Sequence, residues 1–258
     1  MNVVVSLSAL LLSAGFTFYL GINNWMNYGL FSFFSTLAVY NGQRVFKSKK
    51  LNETPWLQWV SRNRVVLTFV VATATISAVW SLLSILNFGW NTAAVLILSG
   101  FISVLYVIKI RGKSLREIPH LKIHLIALSW TLLLIVFPII NESIFVSAWE
   151  YGFMHYLFIL GVTIPFDIRD LKYDSVSQKT IPQLVGVLGA KMIGVVTIFL
   201  FAVLLVQVNP SFAINPMFIS AISIQILLLI FSNENRSDIY CAGLIDGAIG
   251  LLGLSYFF

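Results

Sequence analysis

The chain has 258 residues, of which 59% are hydrophobic and 10% charged, and it carries a formal net charge of +6 with a mean hydropathy of +0.91. So little polar surface excludes a water-soluble globular domain and points to a multi-pass membrane protein. The positive balance calls for no nucleic-acid partner, because basic loops retained on one face and attracted to anionic headgroups account for it.

Nine apolar runs follow in chain order, near 3–20, 28–46, 65–86, 90–109, 122–140, 145–166, 189–208, 213–231 and 238–257. At 1.5 Å per residue, a helix of about 20 residues crosses a hydrocarbon core of ~30 Å. The reading is therefore an all-α, multi-pass bundle of about nine transmembrane helices, forming a single domain over 1–258. The first run lacks a basic leader and a small-residue cleavage site, so it reads as a retained helix rather than a cleaved signal. Cys241 has no second cysteine to pair with and reads as packing.

The basic residues set the orientation. Arg44, Lys47, Lys49, Lys50, Arg62 and Arg64 surround the second connection, and Lys109, Arg111, Lys113, Arg116 and Lys122 the fourth. Arg169, Lys172, Lys179 and Lys191 surround the sixth, and Arg236 lies in the eighth. The odd connections, such as "GINNWMN" and "INESIFVS", contain no Lys or Arg. Basic loops stay in the cytoplasm, so the N-terminus is expected there and the C-terminus on the opposite side of the bilayer.

At the cytoplasmic mouth of the sixth run stands "DIRDLKYD", with Asp167, Asp170 and Asp174. Spacings of three and seven put these carboxylates on one face of a continuing helix. Crowded acids repel one another unless a cation or basic groups offset them, and Mg²⁺ suits oxygen ligands shared with substrate phosphates. The plainer alternative is a solvated helix end neutralised by Arg169 and Lys172.

The segment from Asp167 to Asp174, followed by "SVSQKTIPQLVGVLGA", resembles the second aspartate-rich motif of the UbiA superfamily of intramembrane prenyltransferases. In that motif an Asp-x-x-Asp-x-x-x-Asp helix end precedes a basic-Thr-hydrophobic-Pro segment and an apolar helix. Lys179, Thr180, Pro182, Leu188 and Gly189 fall in step, and Tyr106 and Lys109 match a Tyr and a Lys at the end of the fourth helix. The resemblance implies transfer of an isoprenyl group from a prenyl diphosphate to an acceptor within the bilayer. Metal-held carboxylates would clamp the diphosphate and stabilise its departing charge.

The family's first acidic motif is missing. The second run ends in "YNGQRVFKSKK", where Asn41 matches but Gly42, Val45 and Lys49 stand in place of acids. One expectation is a site with a single Mg²⁺ on Asp167, Asp170 and Asp174. Asp170 and Asp174 are then catalytic, and Asn41, Arg44, Lys47 and Lys109 bind the diphosphate, with guanidinium and ammonium replacing the second metal. The alternative is a non-catalytic relative that binds prenyl or lipid groups, with Arg44 bridging the second and sixth helices. A transporter has less support, because no halves related by repeated broken helices are present.

Three histidines and one further acid complete the candidates. His120 and His124, four apart, read as an interfacial pair rather than metal ligands, and His155 as a residue satisfied inside the bundle. Asp246 lies well inside the ninth run, where an acid is either functional or bonded to neighbouring helices. Gly243, Gly247 and Gly250 beside it are expected to allow close helix approach.

Overall fold

The computed structural model describes residues 2–47, 55–108, 114–172, 174 and 178–258. Among these it is all-α. Nine long helices run α1 (Val3–Tyr19), α2 (Trp25–Lys47), α4 (Arg64–Leu83), α5 (Trp90–Leu105), α6 (Leu121–Asn141), α7 (Ala148–Asp170), α8 (Ile181–Val208), α9 (Pro216–Ile230) and α10 (Tyr240–Ser255). A short α3 (Pro55–Arg62) precedes α4 and has no counterpart among the apolar runs, because it is too short and too polar to span. By length and composition α4, α6, α7 and α8 can cross a membrane, and α1, α5, α9 and α10 are shorter apolar helices.

Local chemistry sets the helix ends. Ser147 accepts a hydrogen bond from the Glu150 amide to start α7, and Asn215 accepts from Met217 and Phe218 to start α9. At the head of α8 the Gln183 side chain accepts from the Thr180 amide (3.0 Å), with Pro182 in the first turn. The sequence placed that helix from 189. It begins at Ile181 instead, and Gly186 at φ +74° breaks it, a conformation open to glycine at little cost. In α6 a π-helical turn over Leu132–Val136 precedes Pro138. Proline has no N–H to give and crowds the carbonyl four residues back, and the wider turn accommodates it. A second π turn, Tyr240–Ile245, opens α10 and returns to α geometry at Asp246.

Small residues bring the backbones together, the main source of close helix packing where lipid and side chains are equally apolar. A Cβ on Gly15 of α1 would lie 1.9 Å from the Gly253 carbonyl oxygen of α10. Between α7 and α8, one on Gly161 would lie 2.9 Å from the Gly194 oxygen. Gly250 also meets α1, 3.0 Å from Leu11 Cδ1, whereas Gly243 and Gly247 meet side chains at 3.4 and 3.8 Å. The tightest approach on α10 is therefore a turn beyond the glycines expected to provide it.

α7 and α6 form the centre, with 72% and 67% of their apolar stretches buried, against 17% for α4 and 28% for α8. The outer helices present Phe69, Trp80, Leu188 and Met192, all exposed, as an apolar exterior suited to lipid. Polar contacts close both ends of the bundle. At one end Tyr28 donates to Glu142 (2.6 Å), and Asn87 Nδ2 donates to the Asn141 carbonyl (2.9 Å). At the other end Asn2 Nδ2 donates to Asn41 Oδ1 (3.2 Å), joining the start of α1 to the last turns of α2. The C-terminal Ser255 accepts from Asn215 at the first end, so the termini lie at opposite ends of the bundle.

Candidate active site

The end of the bundle that holds Asn2 also gathers the charge. α7 continues past its apolar run to Asp170, and the Asp174 amide donates back to the Asp170 carbonyl (2.8 Å) in a further helix-like turn. This extension keeps the three acids on one face. They converge on a lysine from another helix: Lys122, in the first turn of α6, places Nζ 3.0 Å from Asp167 Oδ1, 3.5 Å from Asp170 Oδ2 and 2.6 Å from Asp174 Oδ2. The Lys122, Asp167 and Asp174 side chains are 9%, 4% and 5% exposed, and Asp170 is 27% exposed. Asp170 is therefore the carboxylate that faces open space.

A second cation braces the cluster. Arg169 Nε and Nη2 both lie 2.9 Å from Asp170 Oδ1, while Nη1 reaches Asp238 Oδ1 at 3.2 Å, tying α7 to the segment before α10. The three clustered acids thus meet two cations, and among the described residues the buried Asp167 Oδ2 has no hydrogen-bond partner. Buried ions are tolerated when paired in this way, and removing one partner is costly.

Two chambers meet at Lys122 and Asp170. The outer one, about 250 Å³, lies between α2, α5 and α6 and is lined by Tyr40, Gln43, Ser99, Tyr106 and Arg116 among others. It adjoins a more open, apolar groove of about 460 Å³ walled by Phe31, Phe46, Leu82, Leu96 and Val104. The inner chamber, about 150 Å³, is walled by α6, α7 and α10 and contains Asp246. Tyr40 and Trp130 line both chambers, and Trp130 Nε1 donates to the Tyr40 hydroxyl (3.2 Å). Arg116, on a one-turn helix over Leu115–Glu117, stands 5.9 Å from the centre of the Tyr106 ring at the outer mouth.

Of the residues singled out in the sequence, Asp167, Asp170 and Asp174 come together. Asn41 is buried, donating to the Leu37 carbonyl (2.8 Å) as well as accepting from Asn2. Arg44 lies in the electrostatic neighbourhood of Tyr40, Asp238 and Asp246. The Lys47 side chain and all of Lys109 lie outside the described residues. His155 is satisfied on both nitrogens, by the Tyr151 carbonyl and the Tyr256 hydroxyl, each at 2.7 Å. His124 bonds Tyr156. Cys241 is buried.

Lys122 and Arg116 were legible as orientation markers and not as site residues. Lys122 opens the fifth apolar run, a place where charges are common, so the run by itself did not single it out.

The architecture and the charged mouth define an integral membrane protein, an apolar helical bundle whose ionic cluster opens onto internal chambers. Its fold is similar to that of a UbiA homologue from Archaeoglobus fulgidus solved with bound GPP and Mg²⁺, with a TM-score of 0.61 and 15% identity over 98% of this chain and 96% of that one. The fold is therefore UbiA-like. No family model matches the sequence, and no curated protein matches it significantly.

Proposed function

We propose that this chain is an intramembrane prenyltransferase of a single domain, taking a prenyl diphosphate and an acceptor. The observation that carries the reading is the meeting of an ionic cluster with two chambers at Lys122 and Asp170, the outer of which adjoins an apolar groove. The diphosphate lies at the mouth, where Arg116 and Lys122 offer it donors and charge, with Arg44 on α2 at the same end of the bundle and Lys47 and Lys109 kept as further diphosphate-binding candidates on their residue type. Asn41 holds the end of α2 against α1 beside them. The isoprenyl chain runs into the outer chamber and its groove.

In the transfer, the bond between the allylic carbon and the diphosphate oxygen breaks with its electron pair leaving on the diphosphate. A new bond forms from that carbon to the acceptor, whose displaced proton is taken up by the released diphosphate. Cations at the mouth stabilise the departing charge.

The donor set fits one hard cation. Three carboxylates surround a single point, now the Lys122 ammonium, and Asp167 Oδ2 is unsatisfied. Among the described residues no three or more acids, His or Cys stand grouped so as to hold a metal ion as they are, so metal entry requires Nζ to withdraw and the carboxylates to close in. A second ion has no carboxylates on α2, where Gly42 and Val45 stand. Asp170 and Asp174, backed by Asp167, are the residues to hold one Mg²⁺, which supplies charge neutralisation to the leaving diphosphate.

The competing reading, a non-catalytic prenyl- or lipid-binding protein, draws on the same ammonium, which already pairs with one oxygen of each of the three acids. Calorimetric titration of the detergent-solubilised chain with a non-hydrolysable geranyl diphosphate analogue, with and without Mg²⁺, tests the proposal. Metal-dependent binding lost in the Asp170→Asn, Asp174→Asn double variant supports it. Absence of binding by folded protein overturns it.

A further inference from the structure

The inner chamber contains an acid that the diphosphate site does not use. Asp246 is 8% exposed and lines the cavity with Tyr40, Trp130, Ile159, Phe166 and Ile249. Among the described residues it accepts no hydrogen bond and lies in no ion pair within 4 Å. Its electrostatic neighbours are the Arg169 and Arg44 guanidiniums. A carboxylate this buried is costly without a partner. The helix bearing it is also irregular: the π turn Tyr240–Ile245 ends at Asp246. Such turns cluster at functional sites because the inserted residue re-aims the side chains that follow.

We propose that the inner chamber is the acceptor site and that Asp246 holds the acceptor by accepting a hydrogen bond from its hydroxyl group. This rests on the prenyltransferase reading and narrows the acceptor class. A chamber of about 150 Å³ is the size that accommodates one benzene-like ring in an apolar protein interior. It excludes a tetrapyrrole and the body of a lipid alcohol. Lys122 on the chamber wall and the Arg169 and Arg44 guanidiniums offset Asp167, Asp170 and Asp246, so no net negative charge calls for a cationic ligand, and a neutral hydroxyl serves as the donor. The wall shared by the chambers, at Tyr40, Trp130, Lys122 and Asp170, puts such a ring next to the diphosphate end of the prenyl chain.

The test uses the full-length solubilised chain and three probes of one shape: p-cresol, 4-methylanisole and toluene. A hydrogen bond to a carboxylate gives p-cresol about tenfold or more tighter binding than either probe lacking the hydroxyl. In Asp246→Leu this preference disappears, while in the near-isosteric Asp246→Asn it falls to a few-fold, with thermal unfolding confirming that the variants fold. Equal affinity of the wild type for all three probes overturns the proposal without any variant, as does a preference that survives Asp246→Leu. Geranyl diphosphate binding is measured in parallel. If it fails while the Asp246-dependent preference persists, the chamber stands as a hydroxyl-ligand site and the prenyltransferase reading falls. If it succeeds without that preference, the acceptor assignment falls alone.

Discussion

Lys122 meets all three acids of the cluster, and its role follows from charge arithmetic. Asp167, Asp170 and Asp174 lie within 3.5 Å of its Nζ in a buried setting. Removing the ammonium leaves carboxylates uncompensated, a change that costs about 3–5 kcal/mol when a buried pair is broken. Lys122→Gln is therefore expected to lower the thermal midpoint of the metal-free protein. Because ammonium and divalent cation compete for the same oxygens, Mn²⁺ should stabilise that variant more than the wild type, a difference read by thermal unfolding with and without the ion. His155 gives a second test. His155→Phe leaves the buried Tyr256 hydroxyl without the partner it has at 2.7 Å, at a cost of about 1–3 kcal/mol measured by unfolding. The three aspartates were legible from their spacing on one helix. Lys122 was not, because its partners sit on another helix and no local pattern encodes that meeting.

At the level of the helices, the stability of the bundle rests on contacts too close for any side chain. α1 and α10 cross at Gly15 and Gly253, where a Cβ on Gly253 would come within 2.3 Å of the Leu11 backbone. Gly253→Leu must separate the helices, so it is expected to destabilise by more than the 1–3 kcal/mol typical of core overpacking (about that range in well-packed interiors). Gly186→Ala is milder: nothing lies near the new methyl, and the cost is the positive φ alone, roughly 1 kcal/mol. Comparing the two variants by thermal unfolding separates steric from conformational roles of glycine. Hydropathy placed the helices well because burial in lipid depends on composition over about 20 residues. It missed α3 and the first turns of α8, where polar and breaking residues interrupt the apolar average although the backbone continues as helix.

Across the whole molecule, the proposed prenyl site extends into the groove between α2, α4 and α5, whose length would then limit the chain it takes. Ser103 lines both parts of that space, so Ser103→Phe is expected to reduce binding of farnesyl more than of geranyl diphosphate, as read by calorimetry on both. The termini lie at opposite ends of the bundle, and reporters fused to each should report opposite sides of the membrane, with the N-terminus cytoplasmic. The sequence by itself determined the solvent and the fold class: composition fixes whether a chain is covered by water or lipid, and the apolar runs fix where its long helices lie. It also placed three acids on one helix face, because that is a local property of the α-helix. Tertiary structure alone decided what those acids meet, that Asp246 and Tyr40 border one chamber, and which glycines touch. Those facts depend on the relative placement of helices distant in the chain, which arises from packing and is written in no single segment.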